Sequence, residues 1–419
     1  MEKDNVDVII IGGGIIGLCS AYYLQKEGLS VTIIDKGPDE RAASHANCGL
    51  VSPSHALPLN NLKTIRKSLL WMFQPDSPFL IRPQLDPRLY QWLLRFVINS
   101  RRQKVHHSML ALNQLLISSK ALYQELIKEE NIQCQWQNDG ILFVCKKEKT
   151  FLDLQKDIRY TQEEIGLSAV PYVGELLQEK EPALKDDNYG AWLYEIDAHL
   201  KPDLLIDGLK ETLLSRGVKI ISDCLVTSLT NSGQVIQNVV TTKGSFSATQ
   251  FVLSGGALSV QLAKVIGLRL PIIPGKGYSI TMKSPGLSPK IPCIMQERKV
   301  VATPWKNGTY RLGGTMGLGG FNTTLNKTRL NALKSAAVDY LKEPFTDQVI
   351  EEWYGWRSMT PDGVPIIDRS PKHKNLTIAC GHNMLGISMG TGTGKLVSEI
   401  VCEKELHIDS HFYSLSRLN

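Results

Sequence analysis

The sequence predicts an α/β fold with an inserted α+β domain, and two observations carry that prediction. The first is a strand–turn–helix–strand unit at the start of the chain, in residues 6–35. The second is that the pattern of this unit is interrupted and resumed further along the chain. Because 419 residues exceed what one ordinary hydrophobic core accommodates, we expect two domains.

The opening unit has the pattern of a nucleotide-binding β–α–β segment. Val6–Ile11 is an apolar, β-branched run, which is typical of a strand buried on both faces of a parallel sheet. A G-x-G-x-x-G motif follows, then an apolar helical segment at Ile15–Gln25 and a second strand at Val31–Ile34. Since all these parts occur in order, the unit predicts a bound dinucleotide rather than an ordinary β–α–β segment.

Each residue of the motif has a physical task in dinucleotide binding. Gly12 allows a tight turn, Gly14 lets backbone N–H groups approach a pyrophosphate, and Gly17 lets the helix pack close to the strand. The helix N-terminus adds a partial positive charge. Asp35 ends the second strand, where it can accept a hydrogen bond from a ribose hydroxyl. Taken alone, the unit leaves NAD and FAD equally open.

The remaining pattern predicts that both domains are discontinuous. We assign residues 1–60, 196–267 and 345–419 to an FAD/NAD(P)-binding Rossmann-like domain, and residues 61–195 and 268–344 to an α+β substrate domain built on an antiparallel sheet. Periodicity predicts further helices at Leu62–Phe73, Arg88–Asn99, Ser108–Ile127, Thr150–Ile165, Pro202–Arg216, Lys327–Tyr340 and Gly386–Cys402, and strands at Ile141–Cys145, Ser245–Ala248, Gln250–Leu253 and Leu376–Ala379.

Composition excludes several classes of function. The net charge of +6 is too small a bias to indicate nucleic-acid binding. The first five residues lack the basic region of a secretory signal, and no run of 18 apolar residues predicts a membrane span. The 8 cysteines are scattered with no C-x-x-C pair, so we expect no metal site and a reducing, cytoplasmic location.

Two C-terminal motifs are open to a functional and a structural interpretation. Gly381–Gly386 reads as a strand-to-helix turn, which could direct N–H groups at a partly negative ring edge or be an ordinary loop. Arg357 lies among aromatic residues, where it could bind a carboxylate. Alternatively it stacks on Trp353 or Trp356, or it pairs with Asp362 or Asp368. No second G-x-G-x-x-G follows a strand, which favours one dinucleotide with the substrate as reductant.

The order of several short motifs resembles that of a known family. The opening unit, residues 250–259, KGYS at 276–279, RLGGTM at 311–316, RSMTPDG at 357–363 and GHNMLG at 381–386 follow one another along the chain. Together they resemble the D-amino-acid oxidase/glycine oxidase superfamily of FAD enzymes over nearly the whole chain. The bacterial D-amino-acid dehydrogenase branch is the most similar, because it shares the KGYS and MTPDG elements.

The resemblance implies a set of site residues. Arg357 matches the arginine that grips the substrate carboxylate, and Tyr278 is a weaker candidate for lining the site, with a strand-core tyrosine as its alternative. The residues that the resemblance places at FAD are Gly12, Gly14, Ile15, Ile16, Gly17, Asp35, Lys36, Ser44, Asn47, Cys48, Gly49, Leu50, Val226, Ser254, Gly255, Gly256, Gly381, His382, Met384, Leu385 and Gly386.

The sequence departs from the family pattern at two informative places. Cys48 stands where a small residue is expected, and a buried inert thiol is favoured over a reactive one beside the flavin. Ser358 and Met359 stand where some sarcosine oxidases attach flavin through a cysteine, so we expect non-covalent FAD.

The resemblance also implies the reaction. It predicts oxidative deamination of a D-amino acid or secondary amino acid, of D-proline or hydroxyproline type among others, with electrons passed to a quinone or carrier protein. The alternatives are a glycine/sarcosine-type oxidase that uses oxygen, and a non-catalytic flavin-binding sensor. The segment 89–107 mixes aromatic and basic residues, so it is either a peripheral contact with the inner face of the plasma membrane or a helix packed in the substrate domain.

Overall fold

The computed structural model describes residues 6–37, 42–60, 79–81 and 85–418. The helix expected at Leu62–Phe73 lies outside the described residues. The strands are β1 (Val6–Ile11), β2 (Val31–Ile34), β3 (Leu50–Val51), β4 (Phe79–Ile81), β5 (Ile141–Cys145), β6 (Val170–Val173), β7 (Gly190–Tyr194), β8 (Ala198–His199), β9 (Lys219–Ile221), β10 (Val226–Ser232), β11 (Val235–Thr241), β12 (Gly244–Leu253), β13 (Ile273–Lys283), β14 (Cys293–Met295), β15 (Val300–Trp305), β16 (Thr309–Leu318), β17 (Val349–Met359), β18 (Ile366–Arg369) and β19 (Leu376–Cys380). The helices are α1 (Ile15–Lys26), α2 (Pro87–Ile98), α3 (Arg102–Glu129), α4 (Glu148–Ile165), α5 (Glu175–Lys180), α6 (Pro202–Ser215), α7 (Ser259–Val265), α8 (Lys327–Tyr340) and α9 (Gly390–Val401).

The opening unit has the expected form. Strands β1 and β2 are parallel neighbours, and β1 also pairs in parallel with β12. Residues 8–11 of β1 and all of β2 are buried, which fits a strand run covered on both faces. The eight-stranded sheet built on this unit has the order β10-β11-β12-β1-β2-β9, with β19 beside β12 and β18 beside β19.

Helices α1 and α9 pack together on this first sheet with little space between their backbones. A side chain at Gly394 of α9 would meet the backbone of Cys19 in α1, with its Cβ 2.6 Å from the carbonyl oxygen. Helix α3 joins this core through Met109, Leu112 and Leu115. Residues 102–129 therefore pack against the nucleotide-binding unit, although the sequence grouped them with the substrate domain.

A nine-stranded sheet forms the second layer, and most of its pairs are antiparallel. Its order is β17-β13-β16-β15-β14-β5-β7-β6, with β4 beside β16. Helix α8 covers one face of this sheet through Leu330 and Leu333. Strand β17 pairs with β13 along its whole length, so the boundary expected at residue 345 lies too early for residues 349–359. The reason is that strand pairing between β13 and β17 depends on residues about 75 positions apart, which local pattern does not reveal.

Three elements differ from the sequence expectation by more than a shift of one or two residues. The two strands expected at Ser245–Ala248 and Gln250–Leu253 are one strand, which pairs first with β11 and then with β1. Helix α3 begins six residues early, at Arg102 rather than at Ser108. Helix α9 begins at Gly390 rather than at Gly386 because the preceding turn is held by other groups. The Tyr123 hydroxyl donates to the Ile387 carbonyl at 2.7 Å, and Asn383 has a positive φ of 53°.

A buried acid connects the two layers between β7 and β8. The carboxylate of Asp197 accepts a hydrogen bond from the Ser54 amide at 3.0 Å and another from the Ser54 hydroxyl. Burial raises the pKa of Asp197 from 3.8 to about 7, since its hydrogen bonds and Lys120 only partly offset the loss of water. The carboxyl group is therefore more easily ionised in the unfolded chain than in the folded one.

This difference makes the stability of the fold depend on pH through Asp197. The contribution of the protonated group is fully present below about pH 4 and is lost as the pH rises through about 7. We expect Asp197→Asn to remove this loss, so that the melting temperature of the variant rises relative to the wild type between pH 5 and pH 8. Thermal melting at several pH values measures the effect, with Asp207→Asn on the exposed face of α6 as control. A difference from wild type that stays constant over this range would contradict the assignment.

Candidate functional site

A cavity of about 2020 Å³ lies between the two sheets and is bordered by residues of both. Pockets for small ligands usually measure about 300–1,000 Å³. This cavity therefore has room for an extended dinucleotide together with a second, smaller molecule.

The glycine turn at the start of α1 forms one end of the cavity. Gly12 has φ of +113°, and a Cβ there would lie 2.7 Å from the Ser254 carbonyl oxygen. A side chain at Gly17 would collide with the Gly12 carbonyl oxygen. The tight turn and the close helix–strand packing required by the motif are thus present. The N-cap of α1 is Gly14, which has no side chain to cap the helix, and the Ser44 hydroxyl accepts from the first helical amide, that of Ile15. The helix dipole gives this end of the cavity a partial positive charge that suits an anion.

The acid at the end of β2 is anchored beside this turn. Asp35 accepts hydrogen bonds from the amides of Gly13 at 2.6 Å and Gly37 at 2.7 Å. The Ser44 hydroxyl accepts one from the Ile15 amide at 3.1 Å. The two bonds from the Gly13 and Gly37 amides fix the Asp35 carboxylate at the cavity wall. The other expected cofactor residues that border this end are Ile16, Lys36, Val226, Ser254, Gly255 and Gly256.

Three of the expected cofactor glycines do not border the cavity. Gly17 packs on the turn, Gly49 lies against the Leu200 carbonyl, and Gly381 would place a Cβ 2.6 Å from Thr360. Gly49 and Gly381 also have positive φ values of 69° and 84°. The structure thus places these three glycines behind the cavity wall, and their contact with the cofactor stays a prediction. Their task is to let the backbone turn or pack closely behind the wall.

The loop at residues 44–50 lies against the nine-stranded sheet through Cys48. The Cys48 sulfur fills the space that a side chain at Gly313 would need, and the Cys48 carbonyl accepts from the Thr303 hydroxyl at 3.0 Å. Burial raises the pKa of the Cys48 thiol, which favours the inert interpretation. Asn47 and Leu50 border the cavity on either side of it.

Arg311 holds this loop in place and was not assigned a task from the sequence. Its guanidinium is almost fully buried and donates to the Asn47 carbonyl at 2.7 Å and to the Thr281 hydroxyl at 2.8 Å. It lies 4.9 Å from the centre of the Trp305 ring and 3.9 Å from a Glu351 oxygen. The RLGGTM motif contained this residue, but only the tertiary structure reveals its partners.

The C-terminal turn forms the opposite wall. Burial lowers the pKa of His382 to about 3, and its Nε2 lies 3.0 Å from the Thr393 hydroxyl. The imidazole is therefore neutral at physiological pH. His382, Met384, Leu385 and Gly386 all border the cavity, as expected.

Arg357 borders the cavity from β17. Its Nη1 donates to the Thr315 carbonyl at 2.8 Å, and burial lowers its pKa. Among the residues that the structure describes, no carboxylate lies within 4.0 Å of this guanidinium. Since a buried charge requires a partner, the site is suited to a ligand that brings a carboxylate.

The two acids and one of the two tryptophans considered as structural partners of Arg357 have other partners. Asp362 pairs with Arg417 at 2.8 Å, and Asp368 accepts from the Ser414 hydroxyl at 2.8 Å and the Leu415 amide. The Trp356 ring contacts the rings of Phe321 and Tyr354 instead. Neither the expected acids nor this tryptophan therefore engages the guanidinium.

Tyr278 occupies the strand-core position that the sequence left open as its alternative. It borders the cavity, but it packs in the hydrophobic cluster with Ile280 and Leu312. The Lys276 ammonium lies 5.5 Å from its ring. Since side chains alternate along β13, Tyr278 and Gly277 point to opposite faces, and Arg357 lies on the face of Gly277. A catalytic task for Tyr278 is thus not supported.

A second group that the sequence did not single out lines the cavity next to Asp197. The Nδ1 of His55 lies 3.3 Å from the Ser54 hydroxyl, and its ring is 5.5 Å from that of Phe143. Burial lowers the pKa of His55 to about 4. Phe143 and Tyr194 make this part of the cavity aromatic, and Lys299, which also borders the cavity, lowers the pKa of His55 further.

Neither a candidate metal site nor a membrane-spanning helix is found in the described part of the chain. No group of three or more His, Cys, Asp or Glu residues there could hold a metal ion. None of the described helices has the length and apolarity that crossing a bilayer requires.

Comparison with known proteins gives a consistent picture. The family model DAO, described as FAD dependent oxidoreductase, matches residues 7–400. The D-amino acid dehydrogenase of Vibrio atlanticus is 30% identical over 98% of this chain and 100% of its own, and that of Allorhizobium ampelinum is 32% identical over 98% of both. The crystal structure of glycine oxidase from Geobacillus kaustophilus superposes with a TM-score of 0.78 at 22% identity, covering 99% of each chain.

Proposed function

Because the chain belongs to the DAO family of FAD dependent oxidoreductases, we propose that it oxidatively deaminates a D-amino acid and passes the electrons to a quinone or another carrier. D-Proline and hydroxyproline are among the proposed substrates. The observation that supports this most directly is the buried Arg357, which faces the cavity with no carboxylate partner among the described residues.

The residues present fit FAD. The N-terminus of α1 suits the pyrophosphate, and Asp35 at the end of β2 suits a ribose hydroxyl. The C-terminal turn, from His382 to Gly386, suits the flavin ring. We expect the attachment to be non-covalent, since Ser358 and Met359 replace the cysteine that a covalent link would use. FAD bound there supplies the acceptor, at flavin N5, for a hydride from the substrate Cα.

The chain itself supplies binding and orientation. Arg357 would hold the substrate carboxylate through charge-assisted hydrogen bonds, which fixes the direction of the Cα–H bond. The amine must be neutral to release a hydride, and the neutral imidazoles of His55 and His382 add no positive charge to oppose that step. The imine product then hydrolyses in water to a 2-oxo acid and ammonia.

The proposal is tested by reducing the purified flavoprotein anaerobically with a panel of amino acids. We expect D-amino acids, including D-proline and hydroxyproline, to bleach the flavin absorbance, and their L-enantiomers to leave it unchanged. Bleaching by glycine and sarcosine alone would support the oxidase alternative. No bleaching by any member of the panel would favour the sensor.

The electron acceptor needs a separate measurement. Turnover with a soluble quinone and little hydrogen peroxide under air is expected from the proposed dehydrogenase. Stoichiometric peroxide with no gain on adding quinone would refute this part of the proposal.

Arg357→Ala provides the residue-level test. Because each hydrogen bond to a charged group contributes about 1.5–3 kcal/mol, losing a bidentate pair should weaken substrate affinity by roughly 10²–10⁴-fold while FAD stays bound. The KM and the FAD content of the purified variant measure the two effects. Arg298→Ala is a matched control, since Arg298 pairs with Asp339 near the surface. Unchanged substrate affinity in Arg357→Ala would remove the central support for the function.

We also propose that α2 touches a membrane surface. Leu89 and Trp92 on one face of the helix are buried, and the Trp92 indole donates to the Met359 carbonyl at 3.0 Å. On the other face Tyr90, Leu94 and Val97 are 53%, 62% and 48% exposed. Exposed basic residues follow at once, namely Arg101, Arg102 and Lys104. The face with Leu89 and Trp92 thus fits the interpretation as a packed helix, and the exposed face fits the proposed membrane contact.

Co-sedimentation with vesicles tests this contact. We expect binding to vesicles that contain phosphatidylglycerol and weaker binding to pure phosphatidylcholine, because the basic residues attract anionic lipid. Arg101→Glu combined with Arg102→Glu should abolish the difference, and Leu94→Asp should reduce binding to both. Leu214→Asp, at an equally exposed leucine of α6, is the control. Equal sedimentation with and without vesicles would end the proposal.

A further inference from the structure

The side chain of Arg357 crosses three strands. It starts on β17, its guanidinium lies over Gly277 of β13, and its Nη1 reaches the Thr315 carbonyl of β16 at 2.8 Å. A Cβ at Gly277 would lie 2.5 Å from Nη2 and 2.9 Å from Nε. Any side chain at position 277 would therefore occupy the place of the guanidinium.

An irregularity in the sheet directs the Thr315 carbonyl at this group. Tyr278 pairs with Gly314 and Lys276 with Gly317, so the single residue Gly277 faces two residues of β16. This is a β-bulge, a device that re-aims groups beside active sites. Thr315 has φ of +49°, which is rare for a β-branched residue and persists only where its surroundings enforce it.

The neighbouring glycine serves a different purpose. Gly355 lies opposite Gly277 on β17, but the space beside it is filled by the Trp353 ring. The hydroxyl of Thr315 is buried with no hydrogen-bond partner among the described residues, so only its backbone carbonyl contacts Arg357. Two features thus accommodate the arginine: the space left by the absent Cβ of Gly277, and the carbonyl oxygen of Thr315.

We propose that Gly277 and the Thr315 carbonyl form a guanidinium seat, which positions Arg357 for the substrate carboxylate. This inference rests on the proposed function, in which Arg357 binds that carboxylate. Gly277 provides the surface on which the planar group lies, and the carbonyl fixes its rotation through one of its five N–H donors. Both are positioning elements, because neither touches the substrate.

Gly277→Ala tests the seat. We expect the KM for the D-amino acid that the wild type oxidises best to rise at least 30-fold. The Kd for propionate, a carboxylate without the amine, should rise by a similar factor in a titration of the flavin absorbance. The FAD content should stay within 20% of wild type. Gly317→Ala is the matched control in the bulged strand, because nothing lies within 4 Å of a Cβ there, and both constants should change less than twofold.

A double variant separates the possible outcomes. In the Arg357→Ala background, Gly277→Ala should add less than a twofold effect, because a positioning residue acts only through its partner. If Gly277→Ala alone does not fold, the double variant should recover folding, since truncating the arginine side chain removes the clash.

Failure of the seat can be distinguished from failure of the function. If the wild type is reduced by D-amino acids and Arg357→Ala loses affinity, a Gly277→Ala variant with wild-type KM and propionate Kd overturns the seat alone. A full additive loss in the double variant does so as well.

Discussion

The burial of two guanidinium groups is the constraint on which the arrangement of the cavity depends. A charged group removed from water costs several kcal/mol unless other polar groups replace its hydration. Arg311 obtains this compensation from the Asn47 carbonyl, Thr281, the Trp305 ring and a more distant Glu351. In doing so it ties the loop at residues 44–50 to the second sheet. In the part of the chain that the structure describes, Arg357 has one carbonyl partner, and so the wall carries a positive group suited to an anionic ligand.

Close backbone contacts make this arrangement possible. The turn at Gly12, the contact of α9 with α1 at Gly394 and the approach of Cys48 to Gly313 each occupy the space of an absent side chain. In the first two, backbone meets backbone, which brings the helices close to the sheet. In the third, a side chain enters the gap and anchors a loop. A missing side chain also makes room at Gly277, where the space holds the charged guanidinium of Arg357.

Local sequence patterns predicted those structural elements that are built from neighbouring residues. The opening unit is contiguous, so its strands, its turn and the position of Asp35 follow from one stretch of 30 residues. The arrangement of the substrate domain could not be predicted from local patterns. The sheet membership of β17, the partners of Arg311 and the strand-core position of Tyr278 depend on the pairing of β13 with strands on either side. Gly49 and Gly381 were expected at the cofactor because their motif matches, yet a motif does not tell which residue borders a wall and which supports it.

The two halves of the cavity therefore have different origins, and this explains why the substrate is harder to specify than the cofactor. One compact segment places the glycine turn, whereas Arg357, Gly277, His55 and Phe143 come from four distant parts of the chain. At Arg357 no carboxylate among the described residues balances the charge, so the proposed ligand group is inferred from electrostatics. The wall formed by Phe143, Tyr194 and the neutral His55 is aromatic, and Lys299 acts on His55 electrostatically, so both packing and charge bear on which side chains fit there. Since a packing difference of one methylene corresponds to only about 1–3 kcal/mol, we expect the aromatic part of this wall to discriminate among side chains by degree, while the proposed contact between Arg357 and a carboxylate would select the class of molecule.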